Sequence, residues 1–252
     1  GARTERYITA LGGHTADKPA CNTPGHGKRR HIAEPLPATR SPTMTVPTSQ
    51  SAWHGWRLFA VLAVAVLCMT ALVLALQAQP VEGLRSAIRA TARSSFALFL
   101  AAFLASSLAT LVPGPGTRAL LRERRYLGLA FAFSHAVHAL LILAYWKLFP
   151  ETFWSGRSVA ANIPGSIGYL FILLLTLTSF RTPARLLGPR AWKALHSTGT
   201  WVLAGIFCLS FFKRIPMGGW YVLAFATIFS AIVLKLTAKL AVRLRRRDVQ
   251  PA

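Results

Sequence analysis

Six long apolar runs, separated by short polar breaks rich in Pro and Gly, dominate the chain from residue 56 onward. They cover residues 56–76, 94–112, 126–149, 165–180, 192–212 and 219–241. A bilayer-spanning helix needs about 20 apolar residues at a rise of about 1.5 Å each. Five of the runs meet that length. The fourth is short, and the pattern predicts that it extends back past Pro164, which a first helical turn tolerates. Breakers stand between the runs: Gln79-Pro80, Pro113-Gly114-Pro115-Gly116, Pro164-Gly165, Pro183, Gly188-Pro189 and Pro216. The pattern therefore predicts an all-α membrane protein, a bundle of about six transmembrane helices over residues 56–241. No internal repeat is visible.

The two ends read differently. Residues 1–43 have no apolar periodicity, mix Gly, Pro and Thr with scattered charges, and lack the apolar core of a signal peptide. Their expected status is a disordered extension, or an upstream segment misjoined to a chain that starts at Met44. Residues 44–55 form a short polar lead, and 242–252 a basic tail.

Composition sharpens this picture. The chain is 53% hydrophobic and 14% charged, with 29 Lys and Arg against 7 Asp and Glu and a net charge of +22. Such a balance in a soluble domain would point to nucleic acid. Here the cations sit in clusters between apolar runs, the arrangement that orients membrane proteins, so the expected partner is a lipid bilayer and not nucleic acid. One side carries Arg118, Arg122, Arg124 and Arg125, then Arg181, Arg185, Arg190 and Lys193, then Lys239, Arg243, Arg245, Arg246 and Arg247. The other carries Arg85, Arg89, Arg93, Lys147, Arg157, Lys213 and Arg214. Thirteen against seven places both termini in the cytoplasm. Trp146, Trp154, Trp192 and Trp220 fall near the predicted helix ends, as an interfacial aromatic belt requires.

The chemistry inside the runs is selective. No acid lies well within one: Glu82, Glu123 and Glu151 fall in connections and Asp248 in the tail. Ion-coupled transporters place carboxylates in the membrane, and a zinc protease carries HExxH, so both classes are disfavoured. Cys21, Cys68 and Cys208 have no metal-ligand spacing. His14, Cys21, His26 and His31 have no predicted fold to hold a metal, and His54 reads as a solvated residue before the first span. Histidine is what the spans do contain. His135 and His138 share a face of the third run, and His196 opens the fifth, each among small residues such as Ala132, Ser134, Ala136, Ser197 and Gly199. Imidazole in hydrocarbon needs a partner, and it is both a cross-helix hydrogen-bonding group and an axial ligand of haem iron. Two facing helices with small neighbours favour the second role.

Three blocks around these histidines resemble the ferric-reductase-like transmembrane family, in particular the haem-binding membrane subunit of bacterial periplasmic methionine-sulfoxide reductase. They are Arg124-Arg125-Tyr126-Leu127-Gly128-Leu129 followed by His138, Leu175-Thr176-Leu177-Thr178-Ser179 followed by Leu187-Gly188, and Trp192-Lys193-Ala194-Leu195-His196. The resemblance covers roughly residues 90–240. That subunit carries a second His thirteen residues along its fifth helix, where this chain has Leu209, while His135 is additional here. The sequence ends a dozen residues past the last run, with no flavin or nicotinamide domain.

The resemblance implies a b-type haem electron-transfer protein, the redox subunit of an oxidoreductase rather than a complete enzyme with catalytic residues of its own. One haem is expected, with His196 and either His135 or His138 on the iron. Register against the family favours His138. Depth favours His135, because His196 should lie about 5 Å into the membrane, His135 about 15 Å and His138 about 20 Å. Electrons would come from a cytoplasmic soluble redox partner bearing flavin, or from quinol, and leave to a periplasmic acceptor across a bacterial inner membrane. The rival expectation is a haem-free relative serving as membrane scaffold or assembly partner.

Overall fold

A computed structural model describes residues 54–155 and 159–248. The segment 1–43, most of the polar lead, and the cluster of His14, Cys21, His26 and His31 lie outside the described residues. Among those described there are helices and no strand.

The first helix, α1 (Trp56–Ala75), is 20 residues of nearly unbroken apolar sequence with a mean hydropathy of 2.8. At about 30 Å it matches a hydrocarbon core, and its exposed Val64, Leu67 and Leu72 are suited to lipid. The next two helices are much longer than their apolar runs: α2 (Pro80–Leu111) has 32 residues and α3 (Pro115–Leu148) has 34. Hydrophobicity marks only the part of a helix that lipid must cover, whereas the backbone bonds continue until a breaker. Pro80 and Pro115 stand in the first turns, where a missing N–H costs nothing. The helical stretch before the second apolar run therefore carries Arg85, Arg89 and Arg93, four residues apart, and Glu82 lies in the first turn of α2.

A short α4 (Pro150–Trp154) follows, then α5 (Ile163–Leu177), α6 (Arg181–Leu187), α7 (Pro189–Phe212) and α8 (Trp220–Asp248). As the sequence predicts, α5 begins before Pro164. It is too short to span alone at about 22 Å, and it meets α6 at a bend of 103°. Five helices are long and apolar enough to cross a membrane, and six if the bent α5–α6 pair counts as one broken span. The expected all-α membrane bundle is what forms. Helix α8 does not stop at 241 but runs on through the basic stretch to Asp248.

The most extensive interface joins α2 to α3. Ala87, Thr91 and Ser95 of α2 recur every four residues and are fully buried, facing Ala130 and Ser134 of α3. Small side chains at that spacing let two membrane helices approach closely, and hydroxyls tie them. The bundle centre is aromatic: Phe96, Phe99 and Phe103 of α2 pack with Phe131 of α3, Leu203 of α7 and Ile228 of α8.

Candidate functional site

The end of the bundle that gathers the N-termini of α3 and α7 and the later turns of α8 contains a cavity of about 710 Å³. Its apolar walls come from Phe99, Phe103, Phe131, Ile172, Trp201 and Leu203. Gly128 also lines it, and a Cβ there would meet no atom within 4 Å. His196 is the imidazole on this wall.

Three elements fix His196. Four residues earlier on α7, Trp192 stacks on its ring at 4.2 Å with 28° between planes, the neighbour relation that i,i+4 spacing provides. The Trp192 Nε1–H donates to the Thr178 carbonyl at 2.8 Å. The Thr178 hydroxyl meets His196 Nε2 at 3.0 Å and donates its own proton to the Leu174 carbonyl at 2.6 Å. It therefore accepts from His196 Nε2–H, and the free imidazole lone pair is on Nδ1. Thr178 is the C-cap of α5, immediately before the 103° bend. The broken helix thus supplies the hydroxyl that holds His196 and the carbonyl that holds Trp192 against it.

Cations surround this cavity. Arg122, Arg124 and Arg125 of α3, Lys193 of α7, and Lys235 and Lys239 of α8 line it, and among the described residues no Asp or Glu does. Glu123 points elsewhere: it takes the Gly55 N–H at 2.8 Å, His54 Nδ1 at 3.0 Å and Arg122 Nε at 3.3 Å. His54 is accordingly paired rather than simply solvated, and Glu123 is in a helix rather than a connection. Among the described residues the remaining ion pairs are those of Glu82 with Arg85 and Arg89. Lys235 is the residue that sequence reasoning missed. Its signal is a cation well inside the last apolar run, in Val233-Leu234-Lys235-Leu236, one turn before Lys239.

His135 and His138 are not part of this cavity. Their rings lie 5.2 Å apart, and His135 packs against Phe207 of α7 at 6.3 Å and Tyr169 of α5 at 5.1 Å. His196 shares the cavity with Arg124, and eleven residues along each helix bring His135 level with Phe207. Eleven residues is about 16 Å of helix. The structure thus brings His135 and His138 together and leaves His196 on another level.

His138 faces α2. Its Nδ1 lies 3.1 Å from the Ile88 carbonyl and 3.1 Å from Thr91 Oγ1, which itself donates to the Ala87 carbonyl. A carbonyl only accepts, so His138 carries its proton on Nδ1. Below it Ser134 Oγ bonds both Ser94 and Ser95 at 2.9 Å. His135 Nδ1 and Tyr169 Oη are, among the described residues, the buried side-chain polar atoms with no hydrogen-bond partner. No group of three or more His, Cys, Asp or Glu that could hold a metal ion forms among the described residues.

Residues 91–208 match the family model described as ferric reductase like transmembrane component. The match starts in α2 and ends in α7, so it takes in all three histidines and most of the cavity wall. No curated protein and no solved structure matches the chain.

Proposed function

We propose that this protein holds one b-type haem in the cation-lined cavity and carries electrons across a bilayer, a reading supported by the match of residues 91–208 to the ferric-reductase-like transmembrane model. The observation that carries this reading is the convergence of three separate sequence blocks on one cavity. Arg124, Arg125, Gly128 and Leu129 line it from α3, Leu175 and Thr176 from α5 with Ser179 just past its end, and Trp192, Lys193 and His196 from α7. These are the same blocks that carry the likeness to the sulfoxide-reductase subunit.

The residues present fit the group in one arrangement and not in another. A flat macrocycle needs an apolar slot, a neutral imidazole and cations for its carboxylates, and the cavity supplies all three at a volume within the usual range of about 300–1,000 Å³ for ligand sites. A haem bridged by His196 and His135, or by His196 and His138, does not fit, because two axial ligands of one iron cannot stand about 16 Å apart along the bundle. In this reading His196 is the iron ligand, and no second imidazole, thiol or thioether lines the cavity.

When bound, the haem supplies one-electron chemistry. The chain's own residues do the rest. Thr178 and Trp192 set the tautomer and plane of His196, as outer-shell partners do for metal ligands. Arg124, Arg125 and Lys193 attract carboxylates, and the aromatic wall excludes water. The basic end faces the cytoplasm of a bacterial cell, where a soluble flavin reductase or quinol is the electron source, and the acceptor lies in the periplasm. The test is the purified full chain in detergent. A red protein whose Soret band shifts and sharpens on dithionite reduction bears the reading out. A colourless protein after expression with ample haem supply leaves the haem-free scaffold instead.

A further inference from the structure

Lys235 stands within the apolar stretch of α8 and is only 8% exposed. Its ammonium donates to the Phe103 carbonyl at 2.6 Å and lies 4.2 Å from the centre of the Phe103 ring. One turn further, the Lys239 ammonium lies 4.8 Å over the Trp201 ring. A carbonyl dipole and the face of an aromatic ring hold an ammonium in place without cancelling its charge. Both lysines line the same cavity as Arg124 and His196, whose wall includes no carboxylate among the described residues. The acids that form ion pairs among the described residues, Glu82 and Glu123, are taken up by Arg85, Arg89, His54 and Arg122.

A cation at membrane depth is expensive and pairs with an anion where it can. None of the described residues offers this one an anion, so the counter-charge is assigned to the cavity's occupant. We propose that Lys235, supported by Lys239 and Arg124, receives a carboxylate of the haem and raises the haem's reduction potential. The proposal rests on the haem reading above. Its electrostatics are simple: the reduced iron carries one positive charge fewer than the oxidised iron, so a fixed cation nearby favours the reduced state. A cation buried against the apolar wall of the cavity acts more strongly than one in water, because less solvent screens it.

The experiment uses the full chain, with haem content read by pyridine haemochromogen and midpoint potential by dithionite titration. Lys235→Met should lower the potential and speed haem loss to an excess of apomyoglobin several-fold. Lys235→Arg should restore both. Lys239→Met should move the potential in the same direction by less, and it keeps the test open if Lys235→Met does not accumulate. Wild-type potentials in whichever methionine variants retain haem overturn the proposal. A wild-type protein that binds no haem instead overturns the reading of the cavity itself, which is a distinct result.

Discussion

Two levels of the same bundle hold histidine in opposite ways. Around His196 the helices stand apart, leave a cavity of about 710 Å³ and crowd it with cations, of which Arg122 alone is ion-paired with an acid among the described residues. Around His135 and His138, about 16 Å away along the bundle, α2 and α3 press together through Ala87, Thr91, Ser95 and Ser134, and hydroxyls and carbonyls take up His138 Nδ1. The lower level has the chemistry of a helix–helix contact, and the upper level has that of a binding site. An imidazole in a membrane therefore does not declare its role by its presence. What distinguishes the two is whether the space beside the ring is filled by the protein.

The largest effect should come from removing the ring at the open level. His196→Ala should lose the haem, an effect beyond the roughly 10–100-fold that outer-shell substitutions cost metal sites. His135→Ala and His138→Ala should keep most of it, with haem per protein as the measurement. Full retention in His196→Ala, or loss confined to a His135 or His138 variant, would reverse the roles of the two levels. The same contrast can be sharpened spectroscopically. Because the cavity wall carries His196 as its imidazole and no thiol or thioether, the reduced protein should bind carbon monoxide with a clear Soret shift. A low-spin spectrum indifferent to carbon monoxide would mean that a second strong ligand reaches the iron.

The next effect in size concerns how His196 is held. Thr178→Val keeps the volume but removes the acceptor of the Nε2–H, leaving Trp192 to hold the ring by stacking alone. It should weaken haem retention about tenfold, at the low end of outer-shell effects, with little change in thermal stability. Val and wild type with equal haem off-rates would show that the hydroxyl does not orient the ring. Smaller again is Gly199→Ala, one turn along α7. Its added Cβ would meet Phe171 Cδ1 at 3.0 Å and Leu175 Cδ1 at 3.1 Å, so these two side chains of α5 must give way, pressing on the helix that carries them. Overpacking of this kind costs about 1–3 kcal/mol. A lower unfolding midpoint, accompanied by looser haem because Thr178 moves with α5, is the expected outcome.

Much of this was legible in the chain, for reasons that can be named. The apolar runs gave six spans, because lipid demands unbroken hydrophobicity, and Pro80, Pro115 and Pro189 gave true helix starts. The runs did not give the polar extensions of α2, α3 and α8, since backbone bonding continues past the lipid boundary. His196 and the blocks around Arg124, Thr178 and Trp192 were visible as short motifs, and the structure brings them to one cavity. The offset in level was legible, since depth counted from flanking charges put His135 about 10 Å and His138 about 15 Å further in than His196; that Phe207 stands opposite His135 was not. Lys235 was passed over because a search for carboxylates and imidazoles does not stop at an amine. The Glu123–His54 pair joins residues 69 apart in sequence, and no local pattern announces it.

The smallest expected effect lies wholly at the closed level. Ser134 is fully buried on α3 and bonds Ser94 and Ser95 of α2 at 2.9 Å each, where the two helices are packed most closely. Ser134→Ala removes both bonds but changes the packing little, because Ala fits any space that Ser fills. Ser94 retains the Thr91 carbonyl as an acceptor at 3.0 Å, so its hydroxyl is not orphaned, whereas the Ser95 hydroxyl bonds Ser134. Cross-helix hydrogen bonds in membranes are worth about 0.6 kcal/mol each on average, since the separated helices find other partners. Two such bonds give a loss of about 1 kcal/mol, readable as a slight drop in unfolding midpoint in detergent. Haem content and midpoint potential should be unchanged, because Ser94, Ser95 and Ser134 do not line the cavity, whose wall stops at Phe99 on α2 and Ala132 on α3. A change in the haem spectrum of Ser134→Ala would mean that the two levels are coupled, and the division between binding site and helix contact would have to be redrawn.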